Sequence, residues 1–143
     1  MIQKMQPCDV KEVAAIEKEI FSMPWSSAGF AEALKREENL YLVAKEDGAV
    51  VGYCGYYGAL DEGEIPNVAV KKEYRNRGIA AEMLKQLISE AKERGITRLI
   101  LEVRKSNEPA ISLYEKLGFI HVGIRKNFYE NPVEDALIMD YHM

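Results

Sequence analysis

The chain has 143 residues, 48% of them hydrophobic and 29% charged. That is the profile of one globular domain able to bury a core without disulfide or metal staples, and it excludes disorder, collagen or coiled coil as the whole chain. The balance of 19 basic and 23 acidic side chains, a net charge of −4, argues against broad nucleic-acid binding, which needs clustered Lys and Arg.

Ile2 to Gln6 alternates weakly, as an edge strand does, and Pro7 breaks it. Asp9 is placed to cap a helix carrying Val13, Ile16, Ile20 and Phe21 on one side. Met23-Pro24-Trp25-Ser26 interrupts, and Ser26 or Ser27 can cap a second helix to about Arg36. Leu40 to Glu46 and Ala49 to Tyr57 read as strands joined by the turn Glu46-Asp47-Gly48. Glu64 to Val70 is a third strand, with Pro66 marking an edge or a bulge. Ile79, Ala80, Met83, Leu84, Leu87, Ile88 and Ala91 recur at helical spacing, and Gly95 closes that helix. Arg98 to Val103 is an apolar strand, so strand, helix and strand make a right-handed βαβ unit. Asn107 caps a further helix that tolerates Pro109 in its first turn and ends at Gly118. Phe119 to Ile124 and Ala136 to Tyr141 are the last two strands.

With no repeat, linker or low-complexity tract, residues 1–143 read as a single domain. The fold class is α/β (α+β): a mixed, mostly antiparallel sheet with a central parallel βαβ unit and flanking helices. No apolar run reaches the roughly 18 residues of a membrane helix, and the first residues lack the apolar segment of a signal peptide. Cys8 and Cys54 are far apart, fit no metal spacing and read as reduced thiols of a cytoplasmic protein; no metal is expected.

The segment Lys71 to Ala80 lies between a strand and the start of the long helix. Four cations and one anion between Lys71 and Arg77 sum to +3 in a chain of −4. A helix start offers unpaired amides and partial positive charge, and Gly78 lets an anion approach the backbone. A pyrophosphate is the natural guest. The dinucleotide-fold fingerprint and the Gly-Lys-Ser/Thr phosphate loop are both absent. On this motif alone, phosphate binding and a solvated helix start stand equal.

The motif Arg75-x-x-Gly78-x-Ala80, after a strand and before a helix, resembles the acetyl-CoA signature of the GNAT family of N-acetyltransferases. The resemblance spans nearly the whole chain. It takes in Met23-Pro24-Trp25-Ser26, Asn67-Val68-Ala69-Val70, Leu101-Glu102-Val103-Arg104, Ser106-Asn107, Leu113 to Phe119, Asn127-Phe128-Tyr129 and Glu134-Asp135-Ala136. That set is similar to the bacterial ribosomal-protein-alanine N-acetyltransferase (RimI-type) branch. It implies one N-acetyltransferase domain over 1–143 whose strands through Val70 and Glu102 splay apart to admit acetyl-CoA. The backbone of Val68, Ala69 and Val70 is then expected to pair with the pantetheine arm. Arg75, Asn76, Arg77, Gly78, Ile79, Ala80 and Ala81 are expected to hold the pyrophosphate, and Asn107 to touch the cofactor. Glu102 resembles the general base and Tyr114 the general acid. Trp25 and Tyr129 are candidate substrate-binding walls. Two departures stand out: Pro66 removes a donor before the cofactor-pairing segment, and Phe128 replaces a frequent tyrosine.

The residues alone leave alternatives. Arg104 lies on the same side of the strand as Glu102, so an ion pair competes with a catalytic base. Tyr114 shares a helical face with Ala110 and Leu117, the position of a core aromatic. The resemblance favours base and acid. A bulge near Pro66 would free the Val68 N–H as an oxyanion donor. The clusters Asp61, Glu62, Glu64 and Glu130, Glu134, Asp135 either attract a cationic acceptor or simply solvate the surface. The resemblance implies acetyl transfer to a protein N-terminus, specifically the N-terminal alanine of a small-subunit ribosomal protein, with no direct nucleic-acid or membrane partner. A small-molecule amine acceptor (polyamine, amino sugar or amino acid) is the alternative. A catalytically idle CoA-binding module is the third reading, against which Glu102 and Tyr114 argue.

Overall fold

The computed structural model describes residues 1–143. The chain opens with strand β1 (Ile2–Lys4), a 3-10 turn (Pro7–Asp9), and helices α1 (Val10–Ile20) and α2 (Ser27–Leu34). Then come β2 (Leu40–Glu46), β3 (Ala49–Ala59), β4 (Glu62–Ile65) and β5 (Val68–Val70). Helix α3 (Ile79–Glu93), β6 (Arg98–Arg104), α4 (Glu108–Leu117), β7 (Ile120–Tyr129) and β8 (Glu134–His142) complete it. No helix is long and apolar enough to cross a membrane.

Strands run in the order β1-β2-β3-β4-β6-β8-β7, with β5 paired to β3 alone. Every pairing is antiparallel except β4 with β6, the parallel pair flanking α3 as the βαβ pattern predicts. The β2–β3 turn passes through Asp47 and Gly48, both at positive φ (51° and 79°), the geometry that twist-matched hairpins need. Ser26 caps α2 by accepting from the Gly29 N–H (3.1 Å), and Asn107 caps α4 by accepting from the Ala110 N–H (3.3 Å). Asp9 does not cap α1 as expected. It is buried, accepts from the Gln6 N–H (2.8 Å) and pairs with Lys45 (2.9 Å), tying the N-terminal turn to β2.

Both faces of the sheet are covered at β2 and β3, whereas β7 is exposed along its length. Leu40, Leu42, Ala44 and Cys54 pack with Met83, Leu84, Leu87 and Tyr114 of α3 and α4 on one side. Tyr41, Val43 and Tyr53 pack with Val13, Ile16 and Phe30 of α1 and α2 on the other. This double burial explains why β2 reads as an unbroken apolar run instead of an alternating one.

The third expected strand is in fact two. β4 pairs with β6 from Glu62↔Arg98 to Ile65↔Leu101 and stops there. Pro66 has no N–H to continue the ladder. Beyond it, β5 stays on β3 (Cys54↔Val68 to Gly52↔Val70) while β6 continues along β8. The sheet therefore opens into a wedge between β5 and the second half of β6, which positions the site.

Candidate active site

The wedge is the mouth of a cavity of about 810 Å³. Val68, Pro66 and Asn67 form one wall, and Glu102 and Arg104 the facing one. Asn107, Ala110 and Tyr114 of α4 border it, and Trp25, Met23, Tyr129 and Phe128 stand at the outer end. Glu102, Tyr114, Asn107, Val68, Trp25 and Tyr129, scattered across the sequence, are thus brought to one space. Ala69 faces the α1–α2 side of the sheet as core, with its side chain away from the cavity.

The backbone of β5 faces the opening in a definite way. The Lys71 N–H donates to the Val51 carbonyl (2.8 Å), so Lys71 is a hydrogen-bonded partner of β3. An antiparallel ladder alternates, which turns the amides of Val68 and Val70 away from β3 and toward the wedge. These polar groups are a free strand edge, suited to an extended amide-bearing arm. The Val70 carbonyl is already used, accepting from Arg75 Nε (3.0 Å).

That bond fastens the loop ahead of α3. Asn76 (φ 63°) and Gly78 (φ 79°) are both left-handed, and a Cβ added at Gly78 would meet nothing within 4 Å. Gly78 provides no side-chain cap, and the Glu82 N–H is the first amide to bond back, to the Gly78 carbonyl (3.0 Å). The amides of Ile79, Ala80 and Ala81 therefore lack helical acceptors, as in any first turn. Arg77 lies over the Tyr74 ring (5.1 Å) and pairs loosely with Glu46 (3.8 Å). Strand edge, cavity and amide cradle fit a carrier with an amide arm and a pyrophosphate.

Glu102 is not paired with Arg104. Its side chain is 13% exposed, and its nearest cation is Arg125 at 3.7 Å, too long for a hydrogen bond. Its Oε2 is buried with no hydrogen-bond partner. Tyr57, Glu64 and Ile100 stand abreast in the ladder, and Glu102 is next on that face. Burial raises the Glu102 pKa first; Arg125 opposes this and the neighbouring Glu64 adds to it. Burial and Glu64 also push the Tyr57 phenol up to about 12, and burial with Glu102 does the same for Tyr129, again to about 12. Burial pushes the Tyr114 phenol up as well, so it stays protonated across the physiological range. Its ring packs on Phe119 (centroids 5.7 Å), so Tyr114 is both a core aromatic and a cavity wall.

The two acidic clusters divide. Glu64 lines the cavity, while Glu62 pairs with Arg98 (3.4 Å) and Asp61 accepts from Thr97 (3.0 Å). Glu134 binds Arg104 (3.3 Å), and Asp135 accepts from the Asn127 N–H (2.9 Å). Most of this acidity is structural, and only Glu64 joins Glu102 inside. Cys54 is a buried core thiol whose pKa burial drives up, and neither it nor Cys8 lines the cavity. A cysteine nucleophile has no support here.

Glu17 escaped the sequence reading. It is fully buried. It accepts from the Tyr53 hydroxyl, from Asn67 Nδ2 (3.1 and 3.3 Å) and from the Trp25 N–H (3.0 Å). Burial raises its pKa, and the three donors oppose that. Through Asn67 and Trp25 it ties the β5-side wall and the outer end of the cavity to α1. A signal existed: Glu17 lies on the stripe of Val13, Ile16 and Ile20, where a solvated acid does not belong. Arg125 had none, because its approach to Glu102 depends on pairing of β6, β8 and β7.

Comparison with known proteins agrees. The model of the Acetyltransferase (GNAT) family matches residues 10–119. A protein of Bacillus subtilis (strain 168), provisionally named a ribosomal protein bS18-alanine N-acetyltransferase, is 40% identical over 96% of this chain and 92% of its own. The Escherichia coli (strain K12) protein named ribosomal protein bS18-alanine N-acetyltransferase is 36% identical over 96% of this chain and 94% of its own. The crystal structure of the ribosomal-protein-S18-alanine N-acetyltransferase from Escherichia coli superposes with a TM-score of 0.90 at 35% identity, covering 99% of this chain and 92% of that one. A split sheet, a glycine-headed helix start and a family match over most of the chain lead to one conclusion: this is a GNAT-family N-acetyltransferase, and its co-substrate is acetyl-CoA.

Proposed function

We propose that this chain, working as one N-acetyltransferase domain, acetylates the α-amine of a ribosomal protein whose first residue is alanine. Glu102 is the base and Tyr114 the acid. The observation that carries this reading is the cavity where an unpartnered Glu102 oxygen and Tyr114 meet the free edge of β5. The names of the relatives supply the acceptor class. Such work belongs in the cytoplasm, where ribosomal proteins are made.

Acetyl-CoA supplies the activated acetyl thioester. Val68 and Val70 bind its amide arm along β5, the Arg75 to Ala81 loop binds the pyrophosphate, and the Asn107 side chain borders the same channel. Trp25 and Tyr129 wall the acceptor end. A protein α-amine has a pKa of roughly 7.7–8.0, so much of it arrives protonated. The Glu64 and Glu102 carboxylates attract that cation, and Glu102 takes the proton directly or through one water. The deprotonated amine attacks the acetyl carbon directly, the Val68 N–H is placed to donate to the carbonyl oxygen as charge develops, and the C–N bond forms as the C–S bond breaks. Tyr114 returns a proton to the leaving sulfur.

Glu102 must be ionised to accept a proton, so activity falls as pH drops through its pKa. Glu64→Gln removes a negative charge that raises this pKa, and Arg125→Ala removes a positive charge that lowers it. The acid-side midpoint of kcat/KM is expected to move down in the first and up in the second. The acceptor amine titrates identically in every variant, so the difference belongs to Glu102. Shifts of equal sign would overturn the assignment.

The acceptor is tested by incubating peptides of varied first residue, and free amines, with acetyl-CoA and reading products by mass spectrometry. Acetylation of alanine peptides at the α-amine supports the reading. Modification of polyamines, amino sugars or amino acids alone replaces it with a small-molecule acetyltransferase.

A further inference from the structure

Arg104 ends β6 on the same face as Glu102, yet its guanidinium turns outward to two loops. Nη1 donates to the Pro132 carbonyl (2.9 Å) and to Glu134 Oε1 (3.3 Å). Nη2 donates to the Glu130 carbonyl (2.9 Å) and reaches Ser22 Oγ (3.5 Å). Its plane lies over the Tyr129 ring at 4.5 Å. Ser22 Oγ in turn donates to the Glu130 carbonyl (3.1 Å). Ser22 belongs to the loop between α1 and α2, and Glu130 and Pro132 belong to the turn between β7 and β8. Ser22, Arg104, Tyr129 and Pro132 all line the outer end of the cavity.

We infer that Arg104 is a positioning residue: it latches the α1–α2 loop to the β7–β8 turn and so sets the shape of the acceptor end. The inference rests on the proposed acceptor side of the cavity. The chemistry suits arginine specifically. A planar fork with five donors can serve two carbonyls and a carboxylate while its face covers a ring. An ammonium offers three donors from one point and no face. The bonds are charge-assisted, hence stronger than the neutral bonds of an ordinary turn. Arg104 shapes the end of the cavity that receives the acceptor and leaves the cradle at Gly78 untouched.

Arg104→Met keeps the apolar stem, and Arg104→Lys keeps the charge. In both, hydrogen exchange followed by mass spectrometry is expected to quicken about tenfold in segments 19–26 and 127–134, with β2 and β3 unchanged. Acceptor KM is expected to rise about tenfold, with kcat within about threefold and acetyl-CoA affinity by calorimetry unchanged. Ser22→Ala cuts the direct loop-to-turn bond without touching β6 and is expected to quicken the same two segments to a lesser degree. Unchanged exchange in both segments, faster exchange throughout the chain, full rescue by Arg104→Lys, or a fall in kcat at constant KM would each overturn the latch. Exchange is measured without acceptor, so a wrong acceptor assignment leaves that arm standing, whereas the peptide panel fails alone if only the acceptor is wrong.

Discussion

Glu102→Gln is expected to lower kcat/KM by about 10²- to 10⁴-fold, the usual contribution of a positioned general base, while acetyl-CoA binding by calorimetry stays within about twofold. The amide nearly matches the carboxylate in shape and cannot take a proton from the incoming amine. The same substitution distinguishes chemistry from folding. Burial raises the Glu102 pKa, so the folded state disfavours its ionised form. A neutral amide removes that penalty, and the Tm is expected to hold or to rise. An enzyme made no less stable yet nearly inactive is the signature of a base held in a desolvated site. Turnover within about threefold of the parent would remove Glu102 from the mechanism.

Why the proposed base could be picked out only through the family resemblance, and its surroundings not at all, has a physical answer. Local signals carried their elements well. Ser26, Asn107 and Gly118 punctuate helices because caps are short-range chemistry, and the heptad-like spacing of Met83, Leu84, Leu87 and Ala91 is set by one helix alone. The third strand was harder. Pro66 announced an irregularity, but only the competition of β3 and β6 for one strand decided that it would split into β4 and β5. Asp9 misled because a cap and a buried ion-pair partner look identical until Lys45 is brought alongside. The Glu102–Arg104 pair suggested by a spacing of two failed for the same reason. Arg104 finds two carbonyls, Glu134 and a tyrosine ring in the β7–β8 turn and the strand ends beside it, far along the chain, and Arg125 arrives at Glu102 from β7. Glu17 shows the converse: its place on an apolar stripe was visible, but its role became readable only when Asn67 and Trp25 were seen to converge on it.

Tyr114→Phe is the second large loss, about 10²-fold in kcat. The substitution removes one hydroxyl and keeps the ring against Phe119, so the variant is expected to fold and to bind acetyl-CoA as the parent does. Because burial raises the phenol's pKa, Tyr114 carries its proton throughout the range in which Glu102 becomes ionised. Acid and base are therefore both in the correct state over a broad plateau near neutrality. Loss of the hydroxyl must lower that plateau without moving its acid edge, which belongs to Glu102. Glu64→Gln, by contrast, moves the edge. A pH series of kcat/KM on the parent, Tyr114→Phe and Glu64→Gln separates the two roles. If the acid edge moved in Tyr114→Phe, the phenol would be coupled to the base instead of protonating the thiolate, and a kcat within about threefold of the parent would leave the sulfur to depart without it.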